Sequence, residues 1–297
     1  MKQIDFHSNH TVRPVLALGY FDCVHIGHRF LFEQAKLVAK EQDLPFAVIT
    51  FDNDPFVAIH SNEHPIYDYQ RRLELFENCG VDLVVKAHFD RAFRDLSPQD
   101  FLDTLWNCVQ PYCVVCGSDY RFGSKATGDI RQLQEYCVRK GTRVSVVDFL
   151  LQDGVKVSSR EIRKLLQQGQ IEHANRLLQT PYFIHSCVEH GRGEGRFYAC
   201  PTANLPMSSD CGNLSYGVYG TVVTIDGKDY YGVTNVGRKP TFDDHRATIE
   251  TNVIDYNGDL YGKLVTISFI KRLRDVMQFT SKELLYEQIK KDKEWYK

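Results

Sequence analysis

The sequence predicts two units of different class: an α/β domain on a parallel sheet over residues 1–180, then a small antiparallel β-barrel with a terminal helix over 181–297. Three observations carry this. Through residue 180 short β-rich runs alternate with helical stretches, the pattern of strands buried on both faces and covered by helices. From residue 183 onward β-rich segments follow one another directly, with turn signals between them. A helical pattern returns only near the C-terminus, as in barrels closed by a late helix.

In the first part the strand runs are VLALGY (15–20), PFAVITF (45–51), VDLVVKA (81–87), YCVVCG (112–117) and RVSVVDF (143–149). Helical patterns lie between them near 30–42, 68–79, 98–108 and 129–139. VSSREIRKLL (157–166) adds another, with Ser158 at the N-cap and Glu161 three residues on as a capping box. The second part reads as strands FIHSCVEHG (183–191), GVYGTVVTI (217–225), DYYGVTNVG (229–237), TIETNVIDY (248–256) and KLVTISFIK (263–271). A DGK turn at 226–228 predicts a hairpin, and Ser281 is placed to cap the last helix. The character of the chain changes at LLQTPYFIHS, which places the boundary at Thr180–Pro181.

Composition narrows the function. Of 297 residues 25% are charged and 43% hydrophobic, with a net charge of −2, a soluble globular profile that argues against a general binder of nucleic acid or anionic membrane. MKQIDFHSNH lacks the apolar core of a signal peptide, and no apolar run approaches a membrane span, so a cytoplasmic location is expected. Composition does not specify an oligomeric state. Nine cysteines, several inside apolar runs, read as free thiols packed as small hydrophobes. Cys113 and Cys116 form a CxxC, but a strand turns residues i and i+3 to opposite faces, which disfavours a shared metal or redox site.

GYFDCVHIGH (19–28) closes the first apolar strand and opens the first long helix. Ligands of parallel α/β sheets bind outside the carboxyl ends of the strands, and a helix N-terminus attracts anions. His25 and His28 at that turn can donate to phosphate oxygens; the plainer alternatives are a helix-capping Asp22 and a packed histidine pair. Arg163 falls on the first turn of the 157–166 helix, where a cation is unfavourable unless an anion is bound.

GYFDCVHIGH resembles the GxFDGxHxGH signature of the HxGH nucleotidyltransferases. With TFDNDP (50–55), CGSDYRFG (116–123) and SSREIR (158–163), the segment 15–180 resembles the adenylyltransferase half of the bacterial bifunctional riboflavin kinase/FAD synthetases. The resemblance implies a Rossmann-like domain that joins FMN to ATP, giving FAD and pyrophosphate. His25 and His28 match the family's two histidines, and Ser158, Ser159 and Arg163 its distal phosphate-binding helix. Asp119 falls in its loop between ATP and flavin, and Gly19, Phe21 and Asp22 of the signature turn would bind the nucleotide. Cys23 stands where the family usually has glycine, a substitution that would reshape the turn if positive φ were required there.

EHGRGEGRFYACPTANL (189–205) alone reads as a glycine-rich hairpin, although closely spaced amides can cradle phosphate and Thr and Asn oxygens can hold Mg²⁺. It resembles the riboflavin kinase motif GxGxGRxxGxPTANL, and the likeness continues through GVYG, GVTNVGRKPTF, IETNVIDYNGDLYG and the RLR of KRLRDVMQF. The resemblance implies a barrel of riboflavin kinase type that makes FMN from riboflavin and ATP. Gly191, Gly193, Gly195 and Arg196 would surround the ATP phosphates. Thr202 and Asn204 would hold Mg²⁺ and phosphate. Glu250 would be the general base on the ribityl hydroxyl; without the family match it reads as a solvent-facing strand residue. Ala199 and Cys200 replace the motif's usual Gly and Phe. Two rival readings follow from the substitutions: one active half only, or a flavin-binding regulator without turnover.

Overall fold

The computed structural model describes residues 1–59, 61, 63–189, 202–206, 213–238 and 247–297. By compactness the chain divides into two units, Met1–Ser159 and Arg160–Lys297.

The first unit runs β1 (Lys2–Asp5), β2 (Val15–Leu18), α1 (Ile26–Glu41), β3 (Phe46–Phe51), α2 (Pro55–Ala58), α3 (Tyr69–Asn78), β4 (Leu83–Ala87), α4 (Arg91–Arg94), α5 (Pro98–Cys108), β5 (Cys113–Gly117), α6 (Ile130–Lys140), β6 (Arg143–Val147) and a two-stranded hairpin, β7 (Leu151–Gln152) and β8 (Val155–Lys156). The six-stranded sheet has the order β1-β4-β3-β2-β5-β6, and every pairing in it is parallel. All four residues of β2 are buried, as a strand covered on both faces requires. The chain steps outward from β2 through β3 to β4, then returns to the other side of β2 as β5. That reversal opens a crevice at the carboxyl ends of β2 and β5. Leu16, Leu18, Ile49, Val85 and Val114 from the strands meet Leu105 of α5 in one core. The expected α/β sheet is therefore present, with two additions: the edge strand β1 and the β7–β8 hairpin. The first long helix begins at Ile26, four residues earlier than its apolar pattern suggests.

After Ser159 come α7 (Ser159–Gln167), α8 (Ile171–Leu178), β9 (Tyr182–Cys187), β10 (Thr202–Pro206), β11 (Gly217–Ile225), β12 (Lys228–Arg238), β13 (Ala247–Val253), β14 (Leu264–Arg274) and α9 (Lys282–Asp292). The strands form one curled antiparallel sheet in the order β10-β13-β12-β11-β14-β9. Among the described residues its two edges meet at a bridge where Glu189 N donates to Asn204 O at 2.9 Å. Asp226 (φ 50°) and Gly227 (φ 77°) form the two-residue hairpin turn between β11 and β12, a left-handed pair whose twist matches the strands. Inside the sheet the hydroxyls of Thr221, Thr234 and Thr251 link at 2.8 and 2.9 Å, so three buried polar groups satisfy one another. Arg274 on β14 grips the buried carboxylate of Asp292 through Nε and Nη2, at 3.1 and 2.7 Å to Oδ2, and holds α9 against the sheet.

Helix α8 belongs with these strands. Asn175 Nδ2 donates to Phe269 O at 2.8 Å, and its Oδ1 accepts from Tyr182 N at 2.7 Å. The compact units thus part after Ser159, while the functional boundary expected from composition lies at Thr180–Pro181.

Candidate active sites

The turn after β2 is shaped by its own aromatic side chain. A Cβ on Gly19 would sit 2.8 Å from the Phe21 ring, so the chain can fold over only at glycine. Phe21 (φ 52°) and Val24 (φ 46°) take left-handed backbone, and the buried Phe21 ring meets His28 edge-on at 5.1 Å and Phe32 at 4.8 Å. His25 is then the N-cap of α1: its Nδ1 accepts from His28 N at 3.2 Å. Gly27 leaves room for this, since a Cβ there would lie 3.2 Å from the His25 ring. The two imidazoles stack 3.6 Å apart, 15° from parallel.

Burial depresses the pKa of both rings. His25 falls from 6.5 to about 4, chiefly through desolvation, with its own backbone hydrogen bond and the Asp119 charge acting the other way. His28 falls well below 6.5 through desolvation and through its stacked neighbour. Both are neutral at pH 7. Because His25 Nδ1 accepts, its proton sits on Nε2, and the site offers neutral N–H donors at a helix N-terminus.

Asp22 does not cap the helix. Its carboxylate is 1% exposed and accepts from Ile66 N at 2.9 Å, anchoring the segment before α3. Cys23 keeps negative φ; the left-handed positions of the turn are Phe21 and Val24, so the turn accommodates a side chain at Cys23. Its Sγ lies 3.6 Å from Ser159 Oγ, which sets the histidine turn beside the last residue of the first unit. Ser158 stands immediately ahead of α7. Arg163, in the second unit, is buried at the helix's fifth residue, just past the first turn where it was expected. Asp119 follows β5 and pairs with Lys156 of β8.

Beside the turn lies a cavity of about 600 Å³, lined by Gly19, Tyr20, Phe51, Phe89, Tyr120 and Phe122 among others. Arg72, 1% exposed, braces one wall: it donates to Phe51 O at 2.7 Å and to Thr50 Oγ1, and stacks 4.7 Å over the Tyr20 ring. The sequence reading missed this aromatic cavity. TFDNDP and CGSDYRFG contribute Phe51, Tyr120 and Phe122 to it, but nothing local marks them as neighbours.

In the second unit the strand register builds the other site. Asn204 on β10 is paired with Glu250 on β13, and Glu250 with Asn235 on β12. Directly opposed residues of an antiparallel pair share a face, so these three side chains form one rung. Thr202 is paired with Asn252 one step along. Asn235 and Asn252 also lie inside the motifs GVTNVGRKPTF and IETNVIDYNGDLYG, but nothing in their spacing marks them without the strand register. Gly191, Gly193, Gly195, Arg196, Ala199 and Cys200 lie outside the described residues. Among the described residues no group of three or more His, Cys, Asp or Glu is placed to hold a metal. The CxxC cysteines are free and buried in β5, and burial pushes the Cys116 thiol up to about 12, the mark of a packing residue.

Comparison with known proteins divides the chain in the same way. The FAD synthetase family model matches residues 7–161 and the riboflavin kinase model residues 178–297. The bifunctional riboflavin kinase/FMN adenylyltransferase of Bacillus subtilis (strain 168) is 34% identical, the match covering 97% of this chain and 94% of that one. The chain belongs to the bifunctional riboflavin kinase/FMN adenylyltransferase family. The Escherichia coli (strain K12) member is 32% identical over 94% of this chain and 90% of its own. A solved structure from Streptococcus pneumoniae, titled a macrolide-efflux protein, shares the fold at a TM-score of 0.89 with 30% identity, covering 99% of this chain and 98% of that one. Among the described residues here no helix is long and apolar enough to cross a membrane. With family membership the chain is an ATP-dependent transferase with a flavin kinase half and a nucleotidyltransferase half.

Proposed function

We propose that the barrel phosphorylates riboflavin to FMN and that the parallel-sheet domain adenylylates FMN to FAD, each with ATP and both in the cytoplasm. The contrast between the two sites carries the assignment. The first presents neutral imidazole donors, the second a carboxylate set between two amides.

That contrast suits the two nucleophiles. The phosphate of FMN is already ionised; it attacks the α-phosphorus of ATP, the bond to the bridging oxygen breaks, and pyrophosphate leaves with the electron pair. No base is needed, only donors for the charge on the phosphates, the role of His25 and His28 with Ser158, Ser159 and Arg163. Gly19, Phe21 and Asp22 would form the turn against which the nucleotide binds, and Asp119 would border it. The aromatic cavity beside them takes the flavin ring by stacking.

Riboflavin's terminal hydroxyl must instead lose a proton as it attacks the γ-phosphorus, with ADP leaving. Glu250 accepts that proton. Thr202 and Asn204 would hold Mg²⁺, and the Asn204 amide oxygen beside a carboxylate fits a hard cation that prefers oxygen. The ion would neutralise phosphate charge. Gly191, Gly193, Gly195 and Arg196 would line the ATP phosphates. The test is incubation with riboflavin, ATP and Mg²⁺ followed by chromatographic separation of flavins. FMN and then FAD should accumulate; FMN alone would leave the first site unsupported.

A further inference from the structure

On the face of β13 that carries Glu250, the next residue in step is Asn252. Its side chain is 7% exposed, and its Oδ1 is buried with no hydrogen-bond partner among the described residues. Across the strands it is flanked by Thr202 of β10 and by Val233 of β12, itself buried. A buried carbonyl oxygen without a donor is a standing cost to the fold, and native structures rarely leave one unless ordered water or a ligand supplies the donor. Residues two apart on a strand stand about 7 Å apart, so this oxygen lies one short step from the carboxylate assigned as base.

The chemistry of the orphan atom narrows its partner. A carbonyl oxygen accepts and cannot donate, so it repels a phosphate oxygen. Mg²⁺ keeps several waters, whereas this atom is closed to bulk solvent and lies beside an apolar strand neighbour. A hydroxyl of an organic substrate satisfies it. Resting on the kinase reading above, we propose that Asn252 contacts the alcohol substrate: Oδ1 accepts a hydrogen bond from a hydroxyl of the ribityl chain and so seats the terminal hydroxyl at Glu250. The amide would thereby select a polyol side chain on the flavin.

Asn252→Leu in the full-length chain keeps the shape and removes the acceptor. The melting temperature of the ligand-free protein should not fall, because an unsatisfied oxygen has been removed. The KM for riboflavin in the phosphorylation assay should rise about tenfold, the worth of one neutral hydrogen bond. A flavin carrying methyl in place of the ribityl chain, used as a competitive inhibitor, should have the same inhibition constant against both proteins. The Mg²⁺ midpoint should not move. An unchanged KM, an equal loss for the methyl flavin, or a shifted Mg²⁺ midpoint would each overturn the assignment. Should the Leu variant not fold, Asn252→Ala makes the same kinetic predictions. Failure of the native chain to phosphorylate riboflavin would instead overturn the kinase reading itself.

Discussion

The His25 and His28 rings stack 3.6 Å apart at the start of α1, with His25 Nδ1 accepting the backbone N–H of His28. One imidazole therefore both caps the helix and fixes the ring beside it. The pair stays neutral because burial disfavours its charge. On the function proposed above, an approaching triphosphate would meet N–H donors already in place, with little reorganisation left for the moment of reaction.

Removing one donor should disable one activity alone. His28→Ala is expected to slow FAD formation from added FMN by about 10²–10³-fold, the usual cost of one preorganised donor. FMN formation from riboflavin should stay near the native rate. Equal loss of both activities in a folded variant would refute the separation of sites.

Stability should depend on pH through the same pair. The folded His25 titrates at about 4, below its ordinary 6.5. A lowered pKa means that the unfolded chain binds the proton first as pH falls. The full stability is present above 6.5 and is lost as pH drops from there toward 4, by about 3 kcal/mol from this group. His25→Asn keeps an N-cap acceptor but does not titrate. Urea unfolding of the ligand-free proteins between pH 7 and 4.5 should show a shallower fall for the Asn variant; identical slopes would contradict the buried neutral histidine.

Glu250 is tested by a paired measurement. Glu250→Gln keeps the size of the side chain in its rung between Asn204 and Asn235 but removes the carboxylate proposed as the base. Phosphorylation of riboflavin should fall by about 10²–10⁴-fold, with riboflavin affinity changing far less. FAD from added FMN should be unaffected, since that nucleophile has no proton to lose. Native phosphorylation in the Gln variant would remove Glu250 from the mechanism.

The place of α7 and α8 can be settled by truncation. Ser215 N donates to Leu166 O at 3.0 Å and Asn175 bridges β9 and β14, so these helices complete the barrel's hydrogen bonding. A fragment of residues 160–297 should phosphorylate riboflavin and melt at a higher temperature than one of residues 181–297. Equal melting temperatures would show that the barrel does not need the helices, and a folded but inactive longer fragment would refute the assignment of activity to it.

What the sequence determined by itself is local or periodic. β2 through β5 are apolar on both faces over several residues, which identifies a covered parallel sheet without knowledge of its partners. Asp226–Gly227 specifies its hairpin because only a left-handed pair matches the strand twist. His25, His28, Thr202, Asn204 and Glu250 are candidates that the sequence offers because each sits in a short motif resembling one of the family's, and their roles are proposals. Other features were decided by tertiary structure. β1 is a mostly exposed KQID segment that becomes a strand through pairing with β4. Asp22, with the signature of a cap, is drawn instead to Ile66, forty-four residues away. The aromatic cavity gathers rings from separate segments, and the Asn204–Glu250–Asn235 rung and the orphan oxygen of Asn252 depend on the register of strands far apart in the chain. Spacing along a chain reports which side chains share a face; which of them meet across strands is set by pairing, and that is a property of the folded sheet.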